Sequence, residues 1–140
     1  MGSSSSFDIS ASGIFAQRVR MDAIANNIAN ADSTRTAGGG PYRRQVVTFK
    51  AALDDSQKEN GKSVAGVKVD GVTEDPTDFR LVHDPGHPDA DANGDVRMPN
   101  VNVVEEMVDM ISASRAYEAN ITTLNAAKSM ITSGIELGRG

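Results

Sequence analysis

The chain has no cysteine and no tryptophan, and its remaining aromatics, two Tyr and four Phe, make up 4% of 140 residues. Without thiols there are no disulfides and no thiolate metal sites, which suits an oxidising compartment or an export route that avoids thiols. Without large aromatics, a dense globular core lacks its bulkiest fillers. Basic residues are also in deficit: 14 Lys and Arg face 19 Asp and Glu, for a net charge of −5. Neutralising phosphates needs clustered cations, so this balance argues against nucleic acid as a partner. No apolar run approaches the ~20 residues that span a bilayer. The opening MGSSSSFDIS has no basic n-region and no continuous apolar h-region, so it does not read as a secretory signal. Residues 1–6 read as a flexible head.

The apolar residues that are present gather near the two ends. Phe7, Ile14, Met21 and Ile28 recur every seven residues, the spacing of a helical seam, with Ile24 beside them. The run DSTRTAGGGP, Asp32 to Pro41, ends that helix. Residues 37–99 read as loop and a small β insert, with strand candidates at 42–49, 64–72, 78–83 and 95–98. Pro99 stops the insert, and Asn102 with Glu105 three residues on resembles a capping box. A second helix then keeps a three-four apolar spacing through Met107, Met110, Tyr117, Ile121, Leu124 and Ile131.

The expected fold is therefore α+β: long N- and C-terminal helices packed as an antiparallel coiled-coil-like pair, with a small β-rich insert between them. The segments are 1–6, 7–36 (first helix and its signature), 37–99 and 100–140 (second helix). At 1.5 Å per residue the helices span about 36 Å and about 50 Å, with both termini at one end and the insert at the other. Two cylinders touch along one line, so such a pair leaves apolar flanks uncovered. Ile24 on the first helix, and Val104, Val108 and Ile111 on the second, are expected to be surplus of this kind, and contiguous apolar surface marks a partner face.

Asn26, Asn27 and Asn30 sit where asparagine is a poor helix former. Amides donate and accept, so they are expected to form a patch that fixes register between packed helices, together with Asn120 on the second helix. The expected subunit-contact residues also include Arg115, as an ion-pair partner.

No catalytic constellation stands out. DADANGD, Asp89 to Asp95, starts like a calcium loop, but Asn100 stands where the bidentate Glu is needed. His83 and His87 are separated by Asp-Pro-Gly, which bars a helical metal pair. Arg43 and Arg44 read as a small solvated basic spot or a subunit contact. The expectation is no enzyme, no metal, no cofactor, no nucleic acid and no small-molecule substrate.

Several long motifs carry a resemblance. ANNIANADSTRT (Ala25 to Thr36), VNVVEEMVDMISASRAYEAN (Val101 to Asn120) and LNAAKSM (Leu124 to Met130) resemble the terminal signatures of the bacterial flagellar rod, hook and filament-axis family. The short middle, with PYRRQVV, LVHDPGHPDA and MPNVNVVEEM, resembles that of a rod member. The resemblance implies a structural subunit of the proximal rod in the flagellar basal body, whose terminal helices build an inner tube and whose insert decorates it. It implies, as partners, copies of itself and other rod subunits, the rod-to-membrane-ring adaptor and the flagellar export apparatus. It further implies type III export without a cleaved signal, a rod spanning the periplasm, and torque passed from the membrane ring to the hook. A second reading, of another class, is a secreted coiled-coil adaptor or chaperone that binds a partner helix in the same groove.

Overall fold

A computed structural model describes residues 2–54 and 63–140. In chain order the elements are α1 (Gly2–Ala29), β1 (Gln45–Asp54), β2 (Ser63–Glu74), β3 (Arg80–His83), β4 (Asp95–Met98) and α2 (Val103–Arg139). The solvated turn expected between the first two strands lies, but for its end residues, outside the described residues.

α1 begins at Gly2, so the Ser-rich segment is the first turns of the helix and not a separate head. Once a helix is nucleated, each added Ser costs only a few tenths of a kcal/mol in propensity. The other end stops as the sequence suggests. Asn30 N–H still reaches the Asn26 carbonyl at 3.0 Å, Ala31 N–H tightens onto Ile28 at 3.3 Å, and the chain turns. The glycine run then closes a loop in which Thr36 and Gly40 are bonded backbone to backbone, and Gly39 and Gly40 have φ of 82° and 76°. That left-handed region is why glycine stands there.

The helices run antiparallel. Asn27 bonds Glu106, Arg20 lies 3.9 Å from Asp109, and Gly13 abuts Asn120, so advancing along α1 means retreating along α2. The packed face differs from the expected seam. α1 buries Ser10, Gly13, Ala16, Ala23, Ile24 and Asn27, and Ala31 is buried just past its end; α2 answers with Glu106, Ala113 and Ala127. Of the eight buried hydrophobic residues among those described, five are alanine, so the core is thin and the helix axes can approach closely. A Cβ at Gly13 would sit 2.8 Å from the Asn120 amide. Phe7 is exposed, and Ile14, Met21 and Ile28 are only half-buried along the flank.

The insert is two separate antiparallel hairpins, β1–β2 and β3–β4, not one small sheet at the far end. β1–β2 pairs from Gln45↔Glu74 to Asp54↔Ser63, with register shifts after Thr48 and after Ala51. Such irregularities increase twist and bend a hairpin, and this one folds back along α1. Its base meets Asn27 through Gln45, and nearer its tip Val67 N–H donates to Ser12 Oγ at 3.1 Å. The expectation of an insert set apart from the helices is thereby corrected. The physical cause is the small side chains on α1: Ser12 and Ala16 leave room for a second element beside α2. Gly66 makes that approach with φ 110°, and a Cβ there would collide with Ser12 Oγ. β3–β4 pairs Arg80↔Met98 through His83↔Asp95 and buries Val96 near the start of α2.

Gly66→Ala is expected to lower stability by about 1–3 kcal/mol, because the new side chain must adopt a disfavoured backbone and displace Ser12. Urea unfolding followed by circular dichroism checks this; an unchanged midpoint would mean that the hairpin does not rest on α1.

Candidate functional site

Four elements meet where α1 ends and α2 begins, and they are joined by polar side chains. Glu106 lies one turn into α2 and is 1% exposed. One carboxylate oxygen accepts from Arg44 Nε, and the other accepts from Asn27 Nδ2 at 3.1 Å. Arg44, just before β1, also reaches Asp75 at 3.2 Å and Asp109 at 3.5 Å. Asn27 bonds the Gln45 backbone in both directions, its Oδ1 accepting from N–H at 2.8 Å and its Nδ2 donating to the carbonyl at 2.9 Å. The same Oδ1 accepts from the Tyr42 hydroxyl at 2.9 Å. Asn100 accepts from Arg44 N–H at 2.8 Å and donates to the Asp75 and Thr77 carbonyls, each at 3.1 Å. α1, β1, the end of β2 and the start of α2 are thus locked at one height.

Electrostatics follow from this geometry. Burial is the largest single influence and works against the Arg44 charge, but the hydrogen bonds and negative charges of Glu106 and Asp75 together outweigh it, so the guanidinium holds its proton more tightly than usual. Burial, then the negative charges of Glu106 and Glu74, push the Tyr42 hydroxyl up. The Asp75 carboxyl is held below its ordinary range, first by the Thr77 backbone N–H, then by the Thr77 side chain, with Arg44 adding to it.

The rest of the N-terminal signature serves a second clasp. Thr34 donates to Asp89 at 2.6 Å and Arg35 pairs with the same carboxylate. These contacts, Thr34 foremost, depress the Asp89 carboxyl. Asp91 accepts from the Asn93 and Asp95 N–H groups at 2.8 and 2.9 Å. The acidic residues that imitate a calcium loop are therefore occupied in shaping their own loop and tying it to the signature. Among the described residues no group of three or more His, Cys, Asp or Glu is arranged to hold a metal.

The expected amide patch divides. Asn27 is buried inside the chain as the hub of the first clasp, and Asn30 turns back to the Asn26 carbonyl of its own helix at 2.9 Å. Asn26 is exposed, and Asn120 packs on Gly13. Ile24 is buried within the chain as well, so neither it nor Asn27 offers surface to a neighbour. On α2, Val104, Met107, Val108, Ile111 and Arg115 are exposed, whereas Met110, Tyr117, Asn120, Ile121, Leu124 and Ile131 are half-buried along the side that faces α1. Arg44, read from sequence as part of a solvated basic spot or a subunit contact, is instead committed to Glu106, Asp75 and Asp109 of its own chain, because a buried carboxylate needs a cation; Asn100, Asp75 and Tyr42 had no place in this clasp from sequence. A charged residue on the inner face of a helix, as Glu106 is relative to Ala113, was the available signal for a buried cation partner.

Val104, Met107, Val108 and Ile111 follow the spacing of one helix face, each more than half exposed. Phe15 on α1 is 63% exposed. A slim helix pair, rigidly registered at one end and carrying uncovered apolar stripes, defines the class of structural subunits that complete themselves by assembly.

Comparison with known proteins agrees with that class. Residues 7–35 match the family described as flagella basal body rod protein, and residues 92–137 match the family described as flagellar basal body rod FlgEFG protein C-terminal. The chain is 45% identical to the flagellar basal-body rod protein FlgC of Borreliella burgdorferi, with 100% of both chains covered. It is 44% identical to FlgC of Bacillus subtilis, over 96% of this chain and 97% of the relative. It is 47% identical to FlgC of Salmonella typhimurium, over 95% and 96%. The chain belongs to the flagellar basal-body rod proteins, in the FlgC family.

Arg44→Ala leaves Glu106 buried without its cation and is expected to cost about 3–5 kcal/mol; the pair Arg44→Met with Glu106→Met should recover much of that loss. Chemical denaturation of both variants checks it. Asp89 is depressed in the folded chain, so its contribution is present above the ordinary carboxylate pKa of about 4 and fades as pH falls through the lower native value. Asp89→Asn should therefore be less stable than the native chain at pH 6, and the difference should narrow as the pH falls below the ordinary carboxylate range.

Proposed function

We propose that the chain is a structural subunit of the proximal rod of the flagellar basal body, polymerising with copies of itself and with other rod proteins into a helical tube that carries torque from the membrane ring to the hook. The observation that carries this reading is the uncovered apolar face of α2, Val104 through Ile111, on a chain whose inner helix faces are already satisfied. In water that face is a standing cost. Burying apolar area is worth roughly 25 cal/mol per Å², so lateral packing against a neighbour is favourable. The clasp keeps the face at a fixed angle and height, which a regular polymer needs from every copy.

The mechanism is mechanical, and the chain is not an enzyme. On α1, Phe7, Ile14, Met21 and Ile28 form the flank offered to neighbours, and Asn26 and Asn30 add polar contacts from the opposite side of the helix end. On α2 the exposed stripe is joined by Arg115 as a charged contact. The half-buried Met110, Tyr117, Asn120, Ile121, Leu124 and Ile131 serve the α1 contact and border the neighbour. The reading extends to a rod that spans the periplasm, to contact with the rod-to-membrane-ring adaptor, and to delivery by the flagellar type III export apparatus without a cleaved signal.

Val108→Asp with Ile111→Asp tests the reading. Both side chains are exposed, so helix content and unfolding midpoint should stay near those of the native chain, while swimming of a strain that depends on the variant should fall at least tenfold. Normal swimming by a stably expressed variant would contradict the role given to this face.

A further inference from the structure

The chain has no cysteine, so the sulfur that a two-electron oxidant meets is thioether. The fold treats its described methionines differently. Met21, Met98 and Met110 are half-buried among packing neighbours. Met107 and Met130 are open to water, 55% and 71% exposed. Exposure decides how readily a small oxidant reaches the sulfur, so these two are the first to react.

The two open methionines stand in different surroundings. Met107 has Val104 three residues before it, Ile111 four residues after it and Val108 alongside, all more than half exposed, so it is the centre of the apolar stripe. Met130 has Ala126, Ser133 and Gly134 at the helical spacings around it, all exposed and none of them a large apolar residue. Oxidation at Met130 changes that small, polar surface little. Oxidation at Met107 puts a strongly polar sulfoxide among three large apolar side chains, and a side chain suited to filling irregular gaps becomes a polar, chiral one. Packed against a neighbour, its oxygen needs a hydrogen-bond donor, and the side chains of Val104, Val108 and Ile111 carry none.

We propose that Met107 is a peroxide-sensitive modification site, whose sulfoxide, formed on the free chain, blocks packing of the α2 stripe. A lone pair of the Met107 sulfur attacks one peroxide oxygen. The S–O bond forms as the O–O bond breaks, and the proton on the transferred oxygen passes to the departing hydroxide. Sulfur loses two electrons, and the peroxide is reduced to water. Once the stripe is covered by a neighbour the thioether is shielded, so sensitivity belongs to the chain before assembly. The proposal rests on the reading of the stripe as a packing face and adds the chemistry that switches it off.

The full chain, purified and exposed to hydrogen peroxide, is digested at intervals, and oxygen uptake at each methionine is followed by mass spectrometry. Met107 and Met130 should be oxidised at least fivefold faster than Met110. In a strain that depends on the supplied chain, a pulse of its synthesis is then made with and without peroxide, at a dose that oxidises most of the Met107 in chain recovered from the cells. New basal bodies containing native chain or Met130→Leu should fall at least threefold relative to untreated cells of the same strain. Met107→Leu stays apolar and cannot form the sulfoxide, so its ratio of treated to untreated should stay near one, whatever its untreated level. Equal oxidation rates at Met107 and Met110 would overturn the proposal. So would an equal fall in the Met107→Leu strain, no fall in the native strain, or protection by Met130→Leu in its place. All of those results leave the rod reading standing. Native chain that fails to enter rods in untreated cells would overturn the rod reading, and this site with it.

Discussion

Everything in the fold is referred to one buried carboxylate. Glu106 has almost no access to water, and an uncompensated charge in that position costs several kcal/mol. Arg44 and Asn27 are what makes it tolerable, and they come from the two elements that α2 must recognise. The apolar contact between α1 and α2 is mostly alanine and glycine, which slide past one another with little penalty. The charged clasp does not slide. A shift of one helical turn would separate Glu106 from both partners at once, so the polar hub supplies the register that the thin core cannot.

From that register the rest of the geometry follows. Asn27 fixes the start of β1 through Gln45, which directs the β1–β2 hairpin back along α1 to Ser12. Asn100 and Arg44 hold the end of β2 at the foot of α2. With the hairpin on one side of α1 and α2 on another, the flank of Ile14 and Met21 and the outer side of α2 are what is left. The assembly surface is the remainder after the internal contacts are made, and its angle is set by the clasp.

Much of this was legible in the sequence. Both helices, the stop of α1, the start of α2 and the approximate positions of the strands follow from local patterns: glycines and proline after Thr36, the Asn102 cap, alternation around Val67 and Val69. The Asn102 side chain does accept from the Val104 and Glu105 N–H groups. What was not legible is which face of α1 turns inward. A heptad of large residues, Phe7 to Ile28, dominated the pattern, yet close packing selected the small ones beside it. The clasp was hidden for a different reason. Asn27 and Glu106 are 79 positions apart, and Arg44 is 62 from Glu106. Only the fold brings them together. The asparagines were rightly singled out as unusual for a helix, but Asn27 locks the chain to itself and does not face a neighbour.

The most direct measurement of the clasp is a distance between the helices far from it. The chain has no cysteine to remove, so spin labels can be placed at the exposed Ala11 of α1 and Asn125 of α2. Pulsed electron paramagnetic resonance on the free chain should give one narrow distance. In Asn27→Ala the account requires that distribution to broaden or to gain a component displaced by about one helical turn, roughly 5 Å. A distribution equally narrow and unshifted in Asn27→Ala and Arg44→Ala, with helix content retained, would show that the small-residue contact sets the register alone and would contradict the central role given to Glu106.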